Sequence, residues 1–480
     1  MKSWKLAVAA GLSAVLFALG TGLHPIWFLT WLAPLPVLLA AARVRFRLAL
    51  AAAFAAFAAG QAPLWLYFLN VVEIPLPLMA ALMLGLALVF ALLAAASGAL
   101  VRRGRPLSAV VLPSAGWAAT EYLLSVLGPY GAWWSLGYTQ ADVLPVLQAV
   151  SLTGVWGVTF LLLAVPSAAA VLLSGTVGRL RVALVVWVVL VAVLGYGAWQ
   201  LRAPEPGARV ALLVTDHPND AIPLDTAQGR TLVARYAEQV EALAARGVRT
   251  VVLPEKTFLA DDRTLPMLAS ALTRITARHR VDVVAGLVLR RGDVLTNVAL
   301  GYPAGGGRPS EYTKHFLIPG LESELTPGSG LTVLPGGSGL IICKDLDYPG
   351  LVRSYREAGA TVLYAPAWDF STDGWLHGRM ALVRGVESGV TVARAARAGR
   401  LVISDPAGRV VAETESSSAD FATAIAPLPA AVAPTLYARV GDWFAWLCLG
   451  LTAVSLIAGF RVRRTPQPEP EPRIPVDVKS

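Results

Sequence analysis

Long apolar stretches alternate with short polar connections through the first part of the chain, and one more lies near its end. A helix needs about 20 mostly apolar residues to cross a bilayer. The stretches near or above this length are 4–23, 26–42, 48–69, 76–101, 107–127, 154–174, 182–199 and 443–460. We therefore predict eight membrane-spanning helices, seven in a domain of residues 1–201 and the eighth in residues 439–464.

Positive charges mark one side of this predicted membrane domain. Lysines and arginines cluster in alternate connections, whereas the intervening short loops carry almost none. The clusters are Lys2/Lys5, Arg43/Arg45/Arg47, Arg102/Arg103/Arg105, Arg179/Arg181 and Arg461/Arg463/Arg464. Because short basic loops stay in the cytoplasm, both termini are expected inside and residues 202–439 outside. The net charge of +9 is then mostly topological and gives no basis for nucleic-acid binding.

Between the last two spans the pattern changes to short apolar strands that alternate with helices. The predicted strands are 210–215, 249–253, 281–289, 294–302, 340–343, 361–365, 391–395, 400–404 and 410–412, and the helices 226–245, 265–279, 348–358 and 374–388. Continuous apolar strands between helices indicate an α/β domain. We assign residues 202–438 to this domain and expect residues 465–480, rich in proline and charge, to be a disordered cytoplasmic tail.

The composition excludes an ordinary soluble protein, because 56% of the residues are hydrophobic and only 15% are charged. The chain has two cysteines. Cys448 lies in the last predicted span and Cys343 in the external domain, so we expect no disulfide between them. An unpaired external thiol needs an explanation. The simplest one is that Cys343 is a small buried apolar residue.

Three reactive residues stand at or just beyond strand ends and offer another explanation. Glu255 follows the strand at 249–253, Lys314 ends the segment 311–314, and Cys343 ends the strand at 340–343. A cysteine attacks as its thiolate. Glu255 can accept the thiol proton as a general base. Lys314, together with the backbone amide after Cys343, can stabilise an oxyanion. The trio predicts acyl transfer through Cys343.

Other chemistries find less support in the sequence. The chain lacks a Gly-x-Ser-x-Gly elbow, a Cys-x-x-Cys pair, a His-Glu-x-x-His helix and a phosphate loop. Its five histidines show no metal-ligand spacing, so we expect neither a metal nor a cofactor. A Cys–His dyad of Cys343 with His315 or His377 stays open. So does a purely structural ion pair between Glu255 and Lys314.

The stretches around these residues resemble the nitrilase superfamily, whose members carry Glu, Lys and Cys in this order. The similar stretches are Leu253-Pro254-Glu255, Tyr312-Thr313-Lys314, Thr326-Pro327-Gly328, Ile342-Cys343-Lys344-Asp345 and Asp405-Pro406-Ala407-Gly408-Arg409. The resemblance implies a nitrilase-like αββα sandwich in which Glu255, Lys314 and Cys343 are the catalytic residues.

The membrane part narrows the resemblance to the apolipoprotein N-acyltransferases, which place such a domain between the last two of eight spans. The stretches that look like this family's signature are Trp117-Ala118-Ala119-Thr120-Glu121, Trp134-Ser135-Leu136-Gly137-Tyr138-Thr139-Gln140 and Gly154-Val155-Trp156-Gly157-Val158-Thr159-Phe160. The family also has an essential glutamate shortly after the lysine, and Glu322 is its counterpart here.

The chain departs from the family's pattern at several positions. Lys344 and Asp345 stand where the family usually has an aromatic residue and a glutamate. Leu253 replaces a tryptophan, the segment between Lys314 and Cys343 is short, and the loop at 366–370 differs. These departures bear on which substrate the protein uses and on how lipid enters the site.

The resemblance implies an N-acyltransferase of the bacterial cytoplasmic (inner) membrane, with its catalytic domain on the periplasmic face. It would move a fatty acyl chain from a phospholipid, through a thioester on Cys343, to the α-amine of a diacylglyceryl-cysteine lipoprotein. Glu322, Lys344 and Trp375 are the expected auxiliary or substrate-binding residues. Trp133 and Trp134 are further candidates for acyl contact, although such tryptophans commonly anchor helix ends at the interface.

Two alternatives remain from the sequence. A membrane-tethered nitrilase-type amidase or carbamoyl hydrolase would use the same trio on a small amide, with water as the acceptor. A degenerate relative could instead serve as a non-enzymatic scaffold or sensor.

Overall fold

The computed structural model describes residues 1–201, 205–217 and 220–460, and its N-terminal part is entirely helical within that range. The α-helices of this part are α1 (Ser3–Gly20), α2 (Trp27–Leu32), α3 (Leu35–Ala41), α4 (Phe46–Gly60), α5 (Ala62–Asn70), α6 (Leu76–Arg102), α7 (Pro106–Leu127), α8 (Leu144–Leu147), α9 (Val150–Thr153), α10 (Val155–Leu172) and α11 (Arg179–Gln200). We refer to these helices, with their connecting loops, as the membrane part.

Five of these helices, α1, α6, α7, α10 and α11, are long and apolar enough to cross a membrane. The pair α4 and α5 adds a sixth span if it counts as one helix, bent by 47°. The predicted second span is a shorter apolar region at 27–41, broken into α2 and α3. The predicted eighth span corresponds to another short apolar helix at 443–458. Eight spans therefore stay a prediction, and Arg461, Arg463, Arg464 and the predicted tail lie outside the described residues.

The C-terminal part combines strands and helices, as the apolar pattern predicts. Its elements are β1 (Pro206–Val214), β2 (Ile222–Pro223), α12 (Ala227–Ala245), β3 (Thr250–Val252), β4 (Phe258–Asp261), α13 (Leu265–His279), β5 (Asp282–Arg291), β6 (Val294–Tyr302), β7 (Ser310–Thr313), β8 (Thr332–Leu334), β9 (Ser338–Leu340), α14 (Pro349–Glu357), β10 (Val362–Trp368), α15 (Gly374–Ser388), β11 (Thr391–Arg397), β12 (Arg400–Ser404), β13 (Val410–Glu415), β14 (Ala422–Pro429), α16 (Leu436–Val440) and α17 (Trp443–Phe460).

These strands form two sheets that pack face to face. The first sheet follows the order β14-β1-β3-β5-β4-β2, and β6 and β7 extend it from β5. The second follows the order β13-β12-β11-β10-β9-β8. Successive side chains of a strand point to opposite faces. Accordingly Val210, Leu212 and Val214 of β1 lie in the core between the sheets, whereas Ala211 and Leu213 face the outer helices.

Helices cover the outer faces of both sheets. Leu232 and Tyr236 of α12 and Leu272 of α13 pack on the first sheet. Helix α14 contributes Val352 and Tyr355 to the core of the second sheet. The layers are therefore helix, sheet, sheet and helix, as the nitrilase resemblance implies.

Helix α15 joins this sandwich to the membrane part. Its side chains are buried on almost every side. Ala381 lies in the same apolar cluster as buried residues of the second sheet. Met380 and Val383 lie in one apolar cluster with Trp117 and Trp156 of the membrane part. The second sheet is thus held against the membrane helices, which brings the strand ends of the sandwich close to them.

Candidate active site

Glu255 lies three residues beyond β3, buried between the two sheets. Its side chain is almost fully buried, and its backbone N–H donates to the carbonyl of Ala367 in β10 at 3.3 Å. The next residue, Lys256, has a φ of +47°, which non-glycine residues adopt only at some cost. The turn after β3 therefore holds a carboxylate in the interior at the junction of the sheets.

Lys314 directly follows β7 and is fully buried. Its Nζ donates to Glu255 Oε1 at 2.8 Å and to both carboxylate oxygens of Glu322, at 3.0 Å and 2.8 Å. Burial by itself would lower the pKa of Lys314, but the two carboxylates raise the pKa well above its usual value. Lys314 is therefore an ammonium whose three donors all point at carboxylates.

Glu322 occupies the loop between β7 and β8, as the predicted counterpart of a family glutamate. It accepts a hydrogen bond from the backbone N–H of Ile318 at 2.9 Å and lies 3.3 Å from Lys256 Nζ. Burial opposes the charged form, but Lys314 and Lys256 hold the pKa of Glu322 below its usual value. The structure thus brings Glu255, Lys314 and Glu322 into one charged cluster.

Asn297, in β6, completes this cluster and escaped the sequence reasoning. Its Nδ2 donates to Glu255 Oε1 at 2.6 Å and to Glu322 Oε1 at 3.2 Å. The only signal in the sequence is a polar amide within the strand Val294–Tyr302. A buried polar side chain needs a hydrogen-bond partner. The sequence therefore indicates a polar contact at Asn297 but not the residues that make it.

Cys343 does not end a strand, as the sequence analysis expected. Strand β9 stops at Leu340, and Cys343 begins a 3₁₀ helix, Cys343–Asp347. Its φ is +43°, so the sulfur sits on a tight turn that the apolar pattern could not reveal. The thiol donates to the carbonyl oxygen of Trp368, with Sγ and the oxygen 3.6 Å apart.

The thiol of Cys343 keeps its proton in this position. Burial raises the pKa of Cys343 well above its usual value, and the charge of Glu255 raises it further, whereas Lys314 and Arg394 oppose the shift. The sulfur is therefore within electrostatic reach of Glu255 and Lys314, although it makes no recorded hydrogen bond to either within the described chain.

Two cavities meet at this point, on either side of Ile318, Trp368 and Phe370. We call the first the cysteine cavity. Its walls from the sandwich are Ile318, Cys343, Lys344, Asp347, Trp368, Phe370 and His377, and its walls from the membrane part are Tyr67, Phe68, Val72, Tyr130, Trp133 and Trp134. We call the second the carboxylate cavity, which Glu255, Lys256, Leu321 and Glu322 line.

The two cavities differ in size. The carboxylate cavity has a volume of about 390 Å³, whereas the cysteine cavity has about 40 Å³, room for only a few water molecules. Trp133 and Trp134 pack against Phe68 with ring centroids 5.0 Å and 5.1 Å away. An acyl chain therefore fits beside Cys343 only if these aromatic walls move apart.

The remaining predicted residues fall in different places. Lys344 lines the cysteine cavity, with its Nζ 3.5 Å from Asp347 Oδ2. Trp375 does not belong to that cavity. It lines a separate cleft with His24 and Arg400, and the guanidinium carbon of Arg379 lies 5.5 Å from its ring centroid.

A second buried charge network lies behind the cysteine cavity. Arg394 of β11 binds both carboxylate oxygens of Asp369, and His377 of α15 lies 3.3 Å from Asp369 and 3.5 Å from Asp373. Tyr67, from α5, donates to Asp373 at 2.5 Å. Burial would raise the pKa of Asp369, but Arg394 lowers it to about 2. The network ties the membrane part to the loop after β10.

Asp345 anchors the segment that carries Cys343. It accepts hydrogen bonds from Tyr312 Oη at 2.7 Å, from the backbone N–H groups of His315 and Phe316 at 3.1 Å and 2.9 Å, and from that of Ile342 at 3.2 Å. Burial raises the pKa of Asp345 to about 7, although these donors oppose the shift. Asp345 thereby fixes the turn of Cys343 to the segment that follows Lys314.

Comparisons with known proteins identify the family. The model of the apolipoprotein N-acyltransferase N-terminal domain matches residues 13–169, and that of the carbon-nitrogen hydrolases matches residues 213–435. The apolipoprotein N-acyltransferase of Geobacter metallireducens is 27% identical, over 96% of each chain. The chain belongs to the apolipoprotein N-acyltransferase family.

Other members of this family are similar over shorter lengths. The apolipoprotein N-acyltransferase of Gloeobacter violaceus is 28% identical over 68% of this chain and 67% of its own. That of Bradyrhizobium diazoefficiens is 26% identical over 70% of each chain. Among solved structures, an amidase from Nesterenkonia sp. superposes with a TM-score of 0.40 and 22% identity, over 48% of this chain and 93% of the amidase.

The two histidines that stayed open as partners of Cys343 have other contacts. His315 Nδ1 lies 3.0 Å from Tyr312 Oη. Burial would lower the pKa of His377, but Asp373 and Asp369 raise it to about 9. His377 is therefore protonated near neutral pH and cannot accept the thiol proton, which argues against the dyad. In the part of the chain that the structure describes, no group of three or more His, Cys, Asp or Glu residues is arranged to hold a metal ion.

Proposed function

We propose that this protein transfers a fatty acyl chain from a membrane phospholipid to the α-amine of a diacylglyceryl-cysteine lipoprotein, through a thioester on Cys343. Membership of the family and the similarity to full-length N-acyltransferases support the overall activity. The observation that carries the proposal for Cys343 is the cysteine cavity. The sandwich supplies one wall with the thiol, and aromatic side chains of the membrane part supply the other.

In the first step the Cys343 sulfur attacks the ester carbonyl of the phospholipid while Glu255 takes the thiol proton. A proton acceptor is needed because the pKa of the buried thiol is well above its usual value. The recorded hydrogen bonds of Glu255 from Lys314 and Asn297 both go to Oε1, so Oε2 can take the proton. When the tetrahedral intermediate collapses, the C–O bond breaks and Glu255 returns the proton to the lysophospholipid hydroxyl.

In the second step the neutral α-amine of the lipoprotein attacks the thioester carbonyl. Glu255 accepts a proton from the nitrogen, the C–S bond breaks, and the sulfur of Cys343 regains a proton through Glu255. The carboxylate cavity, which Glu255 lines, gives an amine a route to this base that is separate from the cysteine cavity. Neither step needs an oxidant or a reductant.

Charge on the intermediate requires donors near Cys343. The backbone N–H of Lys344 lies in the first turn of the 3₁₀ helix, where N–H groups have no partner within the helix. Lys314 can supply the second contribution, once one of its N–H groups turns from a carboxylate towards the oxyanion. Glu322 and Asn297 act as positioning residues, since they hold Lys314 and Glu255 in place.

The positions of the basic loops support a periplasmic location for this reaction. We place the domain of residues 202–438 on the periplasmic face of the cytoplasmic membrane, where both lipid substrates can be held in the outer leaflet. The packing of α15 on the membrane helices keeps the domain next to the bilayer.

Mass spectrometry of the full-length protein tests the proposal. After incubation with a phospholipid of defined acyl chains, we expect Cys343 to carry the added mass of that acyl group. The Cys343→Ser variant should carry no thioester. Adding a diacylglyceryl-cysteine peptide should discharge it and yield an N-acylated peptide. Hydrolysis of small amides without any acyl-enzyme from phospholipid would favour the membrane-tethered amidase instead.

A further inference from the structure

Lys344 places a second charged group in the cavity of the nucleophile. It follows Cys343 in the chain, it is 6% exposed, and it lines the cysteine cavity together with the thiol. A lysine is rarely buried to this extent without a partner. The proposed acyl transfer, as argued above, uses only the backbone N–H of this residue.

The ammonium group of Lys344 is only loosely paired. Among the described residues its recorded ion pair is to Asp347 Oδ2, at 3.5 Å, which is longer than the usual N–H···O hydrogen bond of about 2.7–3.2 Å. Its other neighbours are aromatic rings, Tyr130 with its centroid 5.0 Å away and Tyr348 at 5.7 Å. Rings attract a cation through their faces, but they offer its N–H groups no oxygen or nitrogen acceptor.

The other charged groups that line this cavity do not pair with the ammonium of Lys344. His377 lies against two carboxylates of its own, Asp369 and Asp373. Among the described residues that line the cysteine cavity, Asp347 is the only one with an acidic side chain. Burial lowers the pKa of Lys344, and Asp347 only partly opposes this shift. An anion bound beside Lys344 would stabilise its charged form.

We propose that Lys344 binds the phosphodiester of the lipid donor and thereby selects acyl donors that carry a phosphate. This inference rests on the proposed function, since it concerns the donor in the first step. Phosphate offers strong acceptors for an ammonium, with charge-assisted hydrogen bonds. Asp347, whose Oδ2 lies 3.5 Å from Lys344 Nζ, would keep the ammonium in place.

The position next to the nucleophile suits this role. Consecutive Cα atoms are about 3.8 Å apart, and in a glycerophospholipid only the glycerol backbone separates the ester carbonyl from the phosphate. A donor whose carbonyl lies at the Cys343 sulfur therefore brings its phosphate within reach of the long side chain of Lys344. Trp133 and Trp134 lie across the same cavity and can cover the acyl end.

Three donors with identical acyl chains test the proposal on the full-length protein in detergent micelles. They are phosphatidylglycerol and phosphatidylethanolamine, which share a phosphodiester, and diacylglycerol, which has none. The rate of acyl-thioester formation on Cys343 is measured by intact mass. For Lys344→Met we expect a loss of about tenfold or more with both phospholipids, the effect of one charge-assisted hydrogen bond, and no comparable loss with diacylglycerol.

The controls separate this role from a structural one. Lys344→Arg keeps the charge and should retain the preference for phospholipids, and Lys344→Gln replaces the methionine variant if that protein does not fold. An equal loss with all three donors, or no loss with any, would overturn the assignment of Lys344. A wild-type protein that forms no thioester with any donor would instead overturn the proposed function itself.

Discussion

Glu255 has two opposite effects on the Cys343 thiol. In the proposed mechanism Glu255 removes the thiol proton, but its negative charge raises the pKa of that thiol, after the larger effect of burial. The cluster around Lys314 partly offsets this charge. The thiol therefore stays protonated, which protects it from oxidation.

Replacing Glu255 by glutamine separates these two effects. We expect Glu255→Gln to reduce acyl-thioester formation by about 100-fold or more, since general-base catalysis is lost. The same change removes a negative charge near the sulfur, so the pKa of Cys343 should fall. The pH dependence of iodoacetamide alkylation at Cys343 measures this shift, and the alkylation profile should move to lower pH.

Glu322→Gln is the matched control for this experiment. Glu322 binds the same ammonium, but it is not among the groups that dominate the pKa of Cys343. Its alkylation profile should therefore move less. If both variants shift the profile equally, or Glu255→Gln moves it to higher pH, the electrostatic account of Cys343 is wrong.

At the level of residues, the sequence located reactive groups but not their neighbours. Glu255, Lys314 and Glu322 stand in recognisable stretches, and the structure brings them together. Asn297 meets them only because β6 pairs with both β5 and β7. Such pairing joins segments that are distant in sequence, and a single-residue pattern carries no information about it.

Helix α15 illustrates the same limit for whole elements. Its apolar pattern gave the bounds Gly374–Ser388, which the structure confirms. The pattern did not reveal that the membrane part covers the outer face. Its polar residues, among them Arg379, Arg384 and Glu387, are themselves buried, so they do not mark a solvent-facing side from which the orientation could be predicted. Its two buried faces and their partners follow from the tertiary packing alone.

Strands that were missed have a related cause. The sequence analysis gave β6 and β12 with the bounds that the structure has. It did not predict β14, which lies antiparallel to β1 from Ala422 to Pro429. In β14 alanine alternates with other residues, two of which are prolines. Alanine and proline are both disfavoured in strands. Pairing with β1 stabilises it in spite of its composition.

His377 makes the stability of α15 depend on pH. Because its pKa is raised to about 9 in the folded protein from about 6.5 in an unfolded chain, the folded state binds more protons between these values. Stability is then fully present below about pH 6.5 and falls as the pH rises through about 9. We expect the melting temperature in detergent to decrease across this window.

The variant His377→Gln tests the origin of that decrease. It removes the charge that Asp369 and Asp373 stabilise, so it should be less stable than the wild type near pH 6. The difference should shrink towards pH 9.5, where the wild-type imidazole is largely neutral. A constant difference at both pH values would mean that His377 contributes packing rather than charge.

For the whole molecule, the orientation in the membrane decides whether the site can reach its substrates. We expect a cysteine at Arg263, whose side chain is 92% exposed on the sandwich, to react with a membrane-impermeant maleimide on intact spheroplasts. A cysteine at Arg103, between α6 and α7, should react only after permeabilisation. Both are introduced into a Cys343→Ser background, and Cys448 is fully buried. The reverse pattern would place the catalytic domain in the cytoplasm.

The two parts of the molecule meet directly next to Cys343, the proposed nucleophile. The loop of residues 128–135, which we call the bridging loop, leads from α7 to the short helices that follow. The backbone N–H of Ala132 in this loop donates to the carbonyl of Asp347 at 2.8 Å. Tyr348 Oη donates to the carbonyl of Pro129 at 2.7 Å. The 3₁₀ helix that begins at Cys343 therefore rests on a segment of the membrane part.

Gly131 makes this close contact possible and provides its test. Its φ is +56°, and a Cβ there would lie 2.5 Å from the carbonyl oxygen of Asp347, so Gly131→Ala should push the bridging loop away from the 3₁₀ helix. Gly104→Ala is the matched control, because Gly104 has a similar φ of +67° with nothing within 4 Å of its Cβ. Each substitution should cost about 1 kcal/mol in backbone strain.

Only Gly131→Ala, however, should slow acyl-thioester formation on Cys343, because only there does the strain reach the turn that carries the sulfur. To isolate this coupling, the rate of each variant is measured at a temperature equally far below its own melting temperature. Equal rates would show that the site works without the contact, and the membrane helices would then serve as an anchor alone.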